Sequence, residues 1–466
     1  MHEENELLMH RVERIHFIGV GGAGMSGIAE VFCNLGYSIS GSDVSPSRVT
    51  EHLIETGVSV FESHDSAHVE GADVVVYSSA IRDDNVELRA ARRNRIPTVP
   101  RAEMLAELMR FRRGIAVAGT HGKTTTTSLI ASVLAEAGLD PTFIVGGLVK
   151  SINSHARLGS GPYLVAEADE SDASFLLLNP LMAVLTNVDA DHMGTYGGDF
   201  SVLKATFVEF FRRLPFYGFA CVSHDDEHAA SLVPEIRTRV VTFGFTKGAD
   251  VRGHDIRHID GREHFRVSFD GHPEADEFVL NLPGEHNVQN ALAAIAISRE
   301  LGIELNAVRS ALSRFQGIAR RCQVHLSVSI GDHELTVVDD YGHHPKEIDA
   351  VFKTIRRSWP ERRLIVVYQP HRYSRTRDLF EDFVNVLSRA NVLVLLEVYA
   401  AGEPAVPGAD GRSLCRAIRM RGLVDPIFVD DLKSVRQVLT EVVRDGDVVA
   451  MLGAGNIGRI AEELIG

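Results

Sequence analysis

The segment Gly119-Thr120-His121-Gly122-Lys123-Thr124-Thr125 carries the most chemistry per residue in this 466-residue sequence. It follows a strand-like run, Gly114–Ala118, and opens a helical pattern, Thr124–Ala137. Backbone N–H groups in such a turn cradle a β-phosphate. A lysine at its end balances β/γ charge, and the hydroxyl after it ligates Mg²⁺. The long phosphate-loop consensus asks for glycine where Val117 stands, but the shorter G-x-x-G-K-T core is intact. A triphosphate site is expected here. A purely structural turn would leave Lys123 facing the positive end of a helix.

A second glycine turn lies upstream. Gly19-x-Gly21-Gly22-Ala23-Gly24-Met25 follows the strand candidate Ile15–Val20 and precedes the helix candidate Met25–Leu35. Such a turn brings backbone N–H groups and a helix N-terminus to a diphosphate. Asp43, at the end of the strand candidate Tyr37–Gly41, stands where an acid receives a ribose hydroxyl. The motif by itself does not separate NAD from a UDP-sugar, and a tight packing turn is the bland reading.

Acids and histidines follow other strand candidates. Glu167-Ala168-Asp169-Glu170-Ser171-Asp172 comes directly after Tyr163–Ala166, and Thr186-Asn187-Val188-Asp189-Ala190-Asp191-His192 follows Ala183–Asn187. Carboxylates at strand ends beside a phosphate loop are candidates for Mg²⁺. A solvated acidic loop and a structural histidine are the alternatives. Asn287 and Asn290 lie one turn apart and suit either an adenine edge or helix caps. Arg320-Arg321 suits a phosphoryl clamp or plain surface charge. The strings Asp339-Asp340-Tyr341-Gly342-His343-His344-Pro345 and Gln369-Pro370-His371-Arg372-Tyr373-Ser374-Arg375-Thr376-Arg377 each end a strand candidate. Three arginines at one strand end suit carboxylates or phosphates. The last turn, Gly453–Gly458, is expected mainly to pack a strand on a helix.

Elements must position these residues. Further strand candidates are Asp73–Tyr77, Leu364–Tyr368, Val392–Glu397 and Asp447–Leu452, with helical patterns at Ala291–Ser298, Pro345–Ser358 and Arg377–Ser388. This alternation predicts an α/β protein with parallel sheets. Val251–Leu282 breaks the rhythm and reads as an antiparallel meander at the edge of a middle domain. At roughly 150 residues per domain the length suits about three domains. We expect a Rossmann-like domain over 1–112, a phosphate-loop domain with a parallel sheet and a small antiparallel sheet over 113–317, and a Rossmann-like domain over 318–466. There is no internal repeat beyond the recurring glycine turn.

The chain has 48 Lys+Arg against 63 Asp+Glu, a net charge of −15. This disfavours binding to nucleic acid or an anionic membrane, while a local basic cluster still allows an anionic substrate. Cys33, Cys221, Cys322 and Cys415 are scattered, without metal or disulfide spacing. The acidic start has no apolar leader, and no run of about 18 apolar residues occurs. A cytoplasmic protein without membrane insertion is expected.

Taken together, GVGGAGMSGIAE, GTHGKTTTT, EADESDASF, TNVDADHM, LPGEHNVQNALAA, DDYGHHPKEI and QPHRYSRT resemble the Mur ligases of peptidoglycan synthesis, from about Ile15 to Gly458. The resemblance implies an ATP-dependent ligation of L-alanine to the carboxylate of UDP-N-acetylmuramate through an acyl phosphate. The alternative within the family is another amino acid, or a recycled peptide. It implies ATP and Mg²⁺ (or Mn²⁺) as cofactors. Gly119, Thr120, His121, Gly122, Lys123, Thr124 and Thr125 would hold the nucleotide phosphates. Thr124, Glu167 and His192 would serve the metals. Asn287 and Asn290 would lie at adenine, Asp340 at the ribose and Arg320 near the γ-phosphate. Gly19, Gly21, Gly22, Ala23, Gly24, Met25, Asp43, Ser79, His155 and Arg157 would contact the sugar nucleotide. Tyr341, His343, Arg372 and Arg375 would surround the alanine and the muramoyl end, with His343 orienting or deprotonating the amine. The sequence departs from the family at His155, where asparagine is usual, and at Cys322, where phenylalanine is usual. Lys204 does not stand at the spacing of the carbamylated lysine of sister enzymes. Outside the family, an NAD-dependent dehydrogenase and a non-catalytic nucleotide switch are the rival readings.

Overall fold

The computed structural model describes residue 9 and residues 11–78, 80–152, 154–272 and 274–465. Its strands form three sheets. The first has five parallel strands in the order Ser59–Phe61, Ser38–Ser42, Arg14–Ile18, Val74–Tyr77, Thr98–Pro100. Arg14–Ile18 is buried along RIHFI after its first residue, as a central parallel strand must be. The chain leaves it through the glycine turn into the helix Ala23–Asn34.

Below this sheet lies a buried polar cluster. The Glu87 carboxylate accepts from Ser42 Oγ (2.6 Å) and meets His64 Nδ1 (2.7 Å) and His68 Nδ1 (2.8 Å), with His16 Nε2 at 3.5 Å. Burial alone would raise its pKa, but hydrogen bonds from His16, Ser42 and His68 more than offset this and hold it at about 2.

The second sheet has ten strands. Arg113–Ala118 lies in its middle, with Tyr163–Glu167 on one side and Met182–Leu185 on the other. Beyond Tyr163–Glu167 comes the hairpin of Thr142–Val149 and Ser154–Arg157, which the sequence pattern did not announce. In the other direction the order runs Phe219–Ser223, Arg239–Gly244, Val251–Ile259, Arg262–Phe269 and Ala275–Leu280. The meander thus continues the main sheet through the parallel pairs Phe243↔Val251 and Gly244↔Arg252 instead of standing as a separate small sheet.

The third sheet has six strands. His333–Asp340 pairs antiparallel with Gln323–Ile330 and parallel with Val448–Leu452. The order then runs Leu364–Tyr368, Val392–Leu396, Ile427–Val429, all parallel. Apolar side chains fill both faces, with Tyr368, Phe352 and Phe383 among the largest fully buried. Arg377–Ser388 is two helices, Tyr373–Asp378 and Phe380–Leu387, because Leu379 leaves helical geometry between them. The second helix keeps the amphipathic face that the sequence showed, burying Phe383, Val384, Val386 and Leu387.

The chain divides into two compact units. One runs to Asp255 and includes Phe265–Val279 and Gln289–Phe315. The other takes Ile256–His264, Leu280–Val288 and the chain from Gln316 onward. No helix among the described residues is long and apolar enough to cross a membrane. The four cysteines are free thiols.

Candidate active site

The phosphate loop is set by its glycines. Gly119 has φ +127° and Gly122 φ +81°, where side chains are strained. A Cβ on Gly119 would lie 2.1 Å from Thr186 Oγ1, and one on Gly122 would lie 2.5 Å from Asn290 Oδ1. The neighbouring strand end clamps the loop from the side. Thr186 Oγ1 donates to the His121 carbonyl (2.6 Å) and Asn187 Nδ2 to the same oxygen (3.0 Å), while the His121 N–H donates to Asn187 Oδ1 (2.8 Å). The Asp189 N–H donates to Thr120 Oγ1 (2.8 Å) and His121 Nε2 meets Asp189 Oδ2 at 3.2 Å. Thr124 and Thr125 are buried at the start of the helix Lys123–Glu136.

Lys123 Nζ folds back over the loop. It donates to the Gly119 carbonyl (2.6 Å) and the Thr120 carbonyl (3.2 Å) and pairs with Glu170 Oε2 at 2.7 Å. Burial would lower the lysine pKa, but Glu170 and Asp169 more than offset it, so Lys123 stays charged. Glu170, buried and beside Asp169, is pushed up to about 7 despite Lys123. The Tyr196 hydroxyl donates to the Glu170 carbonyl and Thr195 Oγ1 donates to that of Ser171 (2.6 Å), tying the acid loop to the turn after His192. His192 has left-handed backbone (φ +55°), and its ring lies 3.5 Å from Asp191.

A cleft of ≈ 340 Å³ gathers part of this machinery. Gly22, Gly24 and Met25 of the first glycine turn line it, with Ser78 and Ala80. Lys123, Glu167 and Asp169 form another part of its wall, and Arg101 lines it too, beside the apolar side chains of Leu105, Ile144 and Val145. Glu167 ends its strand with Oε1 accepting from the Gly146 N–H (2.6 Å). Ser79, expected at the sugar nucleotide, lies outside the described residues.

The other expected contacts are more dispersed. Asp43 accepts from the Gly21 N–H (2.9 Å) and the Ser45 N–H (3.0 Å), so it buttresses the first turn from below. Gly19 has φ +78°. His155 and Arg157 sit on the hairpin strand Ser154–Arg157, outside the cleft lining, with Arg157 paired to Asp140. Asn290 is buried with its Oδ1 accepting from Thr126 Oγ1 (3.2 Å), behind the phosphate loop. Lys204 lies over the Phe200 ring.

In the other unit, Asn287 Nδ2 donates to the Pro283 carbonyl (2.7 Å) from within the first turn of the helix Glu285–Glu300, which is not a cap. Two guanidinium groups lie over the Tyr341 ring, Arg320 at 5.3 Å and Arg321 at 5.1 Å from its centroid. Arg320, at φ +58°, also donates to the Gly453 carbonyl, and its Nε lies 3.4 Å from Asp339. Glycines of the last turn fit closely against Gln369 and Arg320, which is the packing role expected for it. Asp340 accepts from the Cys322 and Gly342 N–H groups, both at 2.6 Å, and burial raises its pKa to about 6 against the pull of Arg321. His343 Nδ1 lies 3.1 Å from the Tyr341 carbonyl, and its ring centroid is 5.8 Å from that of His371. His371 in turn stacks on Tyr399 and meets Arg375 Nη1 at 3.3 Å. Arg372, at φ +71°, reaches Glu403 at 3.6 Å. Tyr341, His343, His371 and Arg375 therefore form one linked cluster.

Residues 14–113 match the Mur ligase family catalytic domain, residues 117–298 the Mur ligase middle domain and residues 320–455 the Mur ligase glutamate ligase domain. The chain belongs to the Mur ligase family. Similar curated proteins include the UDP-N-acetylmuramate–L-alanine ligase of Halorhodospira halophila, 58% identical over 98% of this chain and 94% of that one. The enzyme of the same name from Methylococcus capsulatus is 56% identical over 98% and 96%. Among solved structures, the UDP-N-acetylmuramate–alanine ligase of Thermotoga maritima superposes with a TM-score of 0.82 at 29% identity, covering 97% of this chain and 98% of that one.

Three features of this region have no signal of their own in the sequence. Arg101 has no motif around it. Glu170 is one acid among several in its string, and nothing in its spacing singles it out. Thr186 and Asn187 precede the more conspicuous His192.

Proposed function

We propose that this Mur ligase joins L-alanine to the lactyl carboxylate of UDP-N-acetylmuramate at the expense of ATP. The observation that carries the reading is the cleft, where the first glycine turn and the phosphate-loop lysine line one cavity. The sugar nucleotide's diphosphate would rest on the N–H groups of the first turn, and its carboxylate would reach the γ-phosphate beside Lys123. A carboxylate oxygen attacks the γ-phosphorus and ADP leaves, giving an acyl phosphate. Lys123 stabilises charge on the moving phosphoryl group. Alanine's ammonium gives up one proton, the free amine attacks the carbonyl carbon, inorganic phosphate departs, and the nitrogen loses a second proton as the amide forms. In the other unit, the cluster of Tyr341, His343, His371 and Arg375, with Arg372 next to His371 in the chain, suits the amino acid's carboxylate and amine, with His343 available to orient the amine. Asp340 and Arg320 are the family's nucleotide residues in that unit, and Asn287 and Asn290 those of the helix Glu285–Glu300.

The hydroxyl of Thr124 and the carboxylate of Glu167 are hard oxygen donors and fit Mg²⁺ or Mn²⁺, and the imidazole of His192 would be a ligand at a second position. Bound metal would neutralise phosphate charge. Cytoplasmic placement accords with free thiols and nucleotide substrates. Purified protein with ATP, Mg²⁺, UDP-N-acetylmuramate and a panel of amino acids plus the recycled tripeptide tests the reading through phosphate release and product mass. Turnover with alanine is expected. Turnover only with the tripeptide, or ADP release without a new amide, would overturn it.

A further inference from the structure

Arg101 is the first residue of the helix Arg101–Arg110, whose N-cap, Pro100, supplies no side-chain cap. A cation at that position is opposed by the helix's positive end, so the sequence places it against local preference. Its guanidinium does not escape to solvent. The side chain is only 21% exposed and lines the cleft. A Cβ added to Gly24 would stand 2.7 Å from Arg101 Nη1, so the guanidinium lies directly against the first glycine turn. From its other side Nη2 donates to Asp169 Oδ2 at 3.0 Å. The cleft's second cation has the same arrangement, since Lys123 is held by the next residue of that loop, Glu170. The cleft's two cations thus face the acids of one loop, Arg101 paired to Asp169 and Lys123 paired to Glu170 with Asp169 also acting on it.

We propose that Arg101 is a binding residue for the diphosphate of the sugar nucleotide, and that Asp169 is the counter-ion it gives up when the ligand arrives. This rests on the ligase reading above. The diphosphate is favoured over the lactyl carboxylate because the guanidinium abuts Gly24, in the turn that opens the helix Ala23–Asn34, where a phosphate meets the backbone N–H groups. A guanidinium there supplies two parallel donors that an ammonium cannot reproduce.

The test is a binding titration by calorimetry, without ATP or metal, using UDP-N-acetylmuramate and UDP-N-acetylglucosamine, which lacks the lactyl acid. Wild-type protein that binds UDP-N-acetylmuramate neither alone nor with a non-hydrolysable ATP analogue and Mg²⁺ refutes the ligase reading itself. Given binding, Arg101→Ala is expected to weaken both ligands by a similar factor, about 10- to 100-fold, with Arg101→Lys intermediate. Asp169→Asn removes the same ion pair but leaves the guanidinium, and is expected to bind both ligands more tightly than wild type. Unchanged affinity in Arg101→Ala overturns the inference. So does a loss confined to UDP-N-acetylmuramate, which would move Arg101 to the carboxylate. So does an equal loss in Asp169→Asn, which would make the ion pair a structural fastening.

Discussion

Replacing Gly119 by alanine is the sharpest test of how the phosphate loop is built. At φ +127° the residue lies where side chains are strained, and holding alanine there costs about 1–3 kcal/mol. The new methyl carbon would also stand 2.1 Å from Thr186 Oγ1, 2.9 Å from the Asn187 carbonyl oxygen and 3.0 Å from the Asn187 nitrogen. Two of those atoms are backbone, and Thr186 is buried and bonded to the His121 and Ala118 carbonyls. Relief therefore requires the loop to separate from the clamping strand end, losing hydrogen bonds worth about 1 kcal/mol each. The loop moves as a whole because Asn187 and Asp189 hold its next two residues. We expect Gly119→Ala to weaken ATP binding at least about 100-fold, since about 3 kcal/mol of the strain and lost bonding would have to be restored on binding. Affinity for UDP-N-acetylmuramate, whose turn lies on a different sheet, should stay within a factor of about 2. Calorimetric titration of each ligand reads both numbers. The double variant Gly119→Ala/Thr186→Ala removes one collision but keeps the backbone strain, so it should recover only part of the loss. ATP binding at wild-type strength in Gly119→Ala would refute the clamp argument.

Further expectations concern charge. Lys123→Ala should lower ligation by at least about 1,000-fold while leaving UDP-N-acetylmuramate affinity nearly intact, and full turnover in a phosphate-release assay would contradict its assignment. Glu170 is an acid whose folded pKa, about 7, stands above the ordinary value, so its charged form is disfavoured and competes for Lys123 mainly above neutrality. The ratio of ATP dissociation constants, wild type over Glu170→Gln, should therefore rise between about pH 6 and about pH 8. A flat ratio would show that the carboxylate does not compete with the phosphate. Glu87 has the opposite sign. Its folded pKa of about 2 lies below the ordinary 4.5, so it contributes stability above that value and loses it as pH falls towards 2. The contribution at neutral pH is on the order of 3 kcal/mol. Glu87→Gln should lower the first unfolding transition in urea at pH 7, and the difference from wild type should shrink by pH 3. Tyr196→Phe, which removes the hydroxyl held by the Glu170 carbonyl, should raise KM for ATP with a smaller effect on kcat, and an unchanged KM would show the acid loop stands without it.

Much of the architecture is readable in short stretches. A glycine turn after an apolar strand needs positive φ and close backbone approach, requirements met locally by Gly19, Gly119 and Gly122, so both phosphate turns and the helices behind them are visible in the sequence. The buried parallel strands announce themselves as apolar runs for the same reason. The family, too, follows from the motif string, because each motif is a local solution to binding phosphate, metal or carboxylate. What local pattern does not contain is the partner across the fold. Arg113–Ala118 lies between Tyr163–Glu167 and Met182–Leu185 in the sheet, although those strands are 45 or more positions downstream. That order alone brings Glu170 onto Lys123 and Asn187 onto His121, and helix packing brings Arg101 onto Asp169. The same holds for Asp43 and Asn290, whose contacts across the fold with Gly21 and Thr126 no local pattern contains. Backbone conformation is set by neighbours in sequence, while the pairing of buried charges is set by which strand ends meet, and that only the tertiary structure decides.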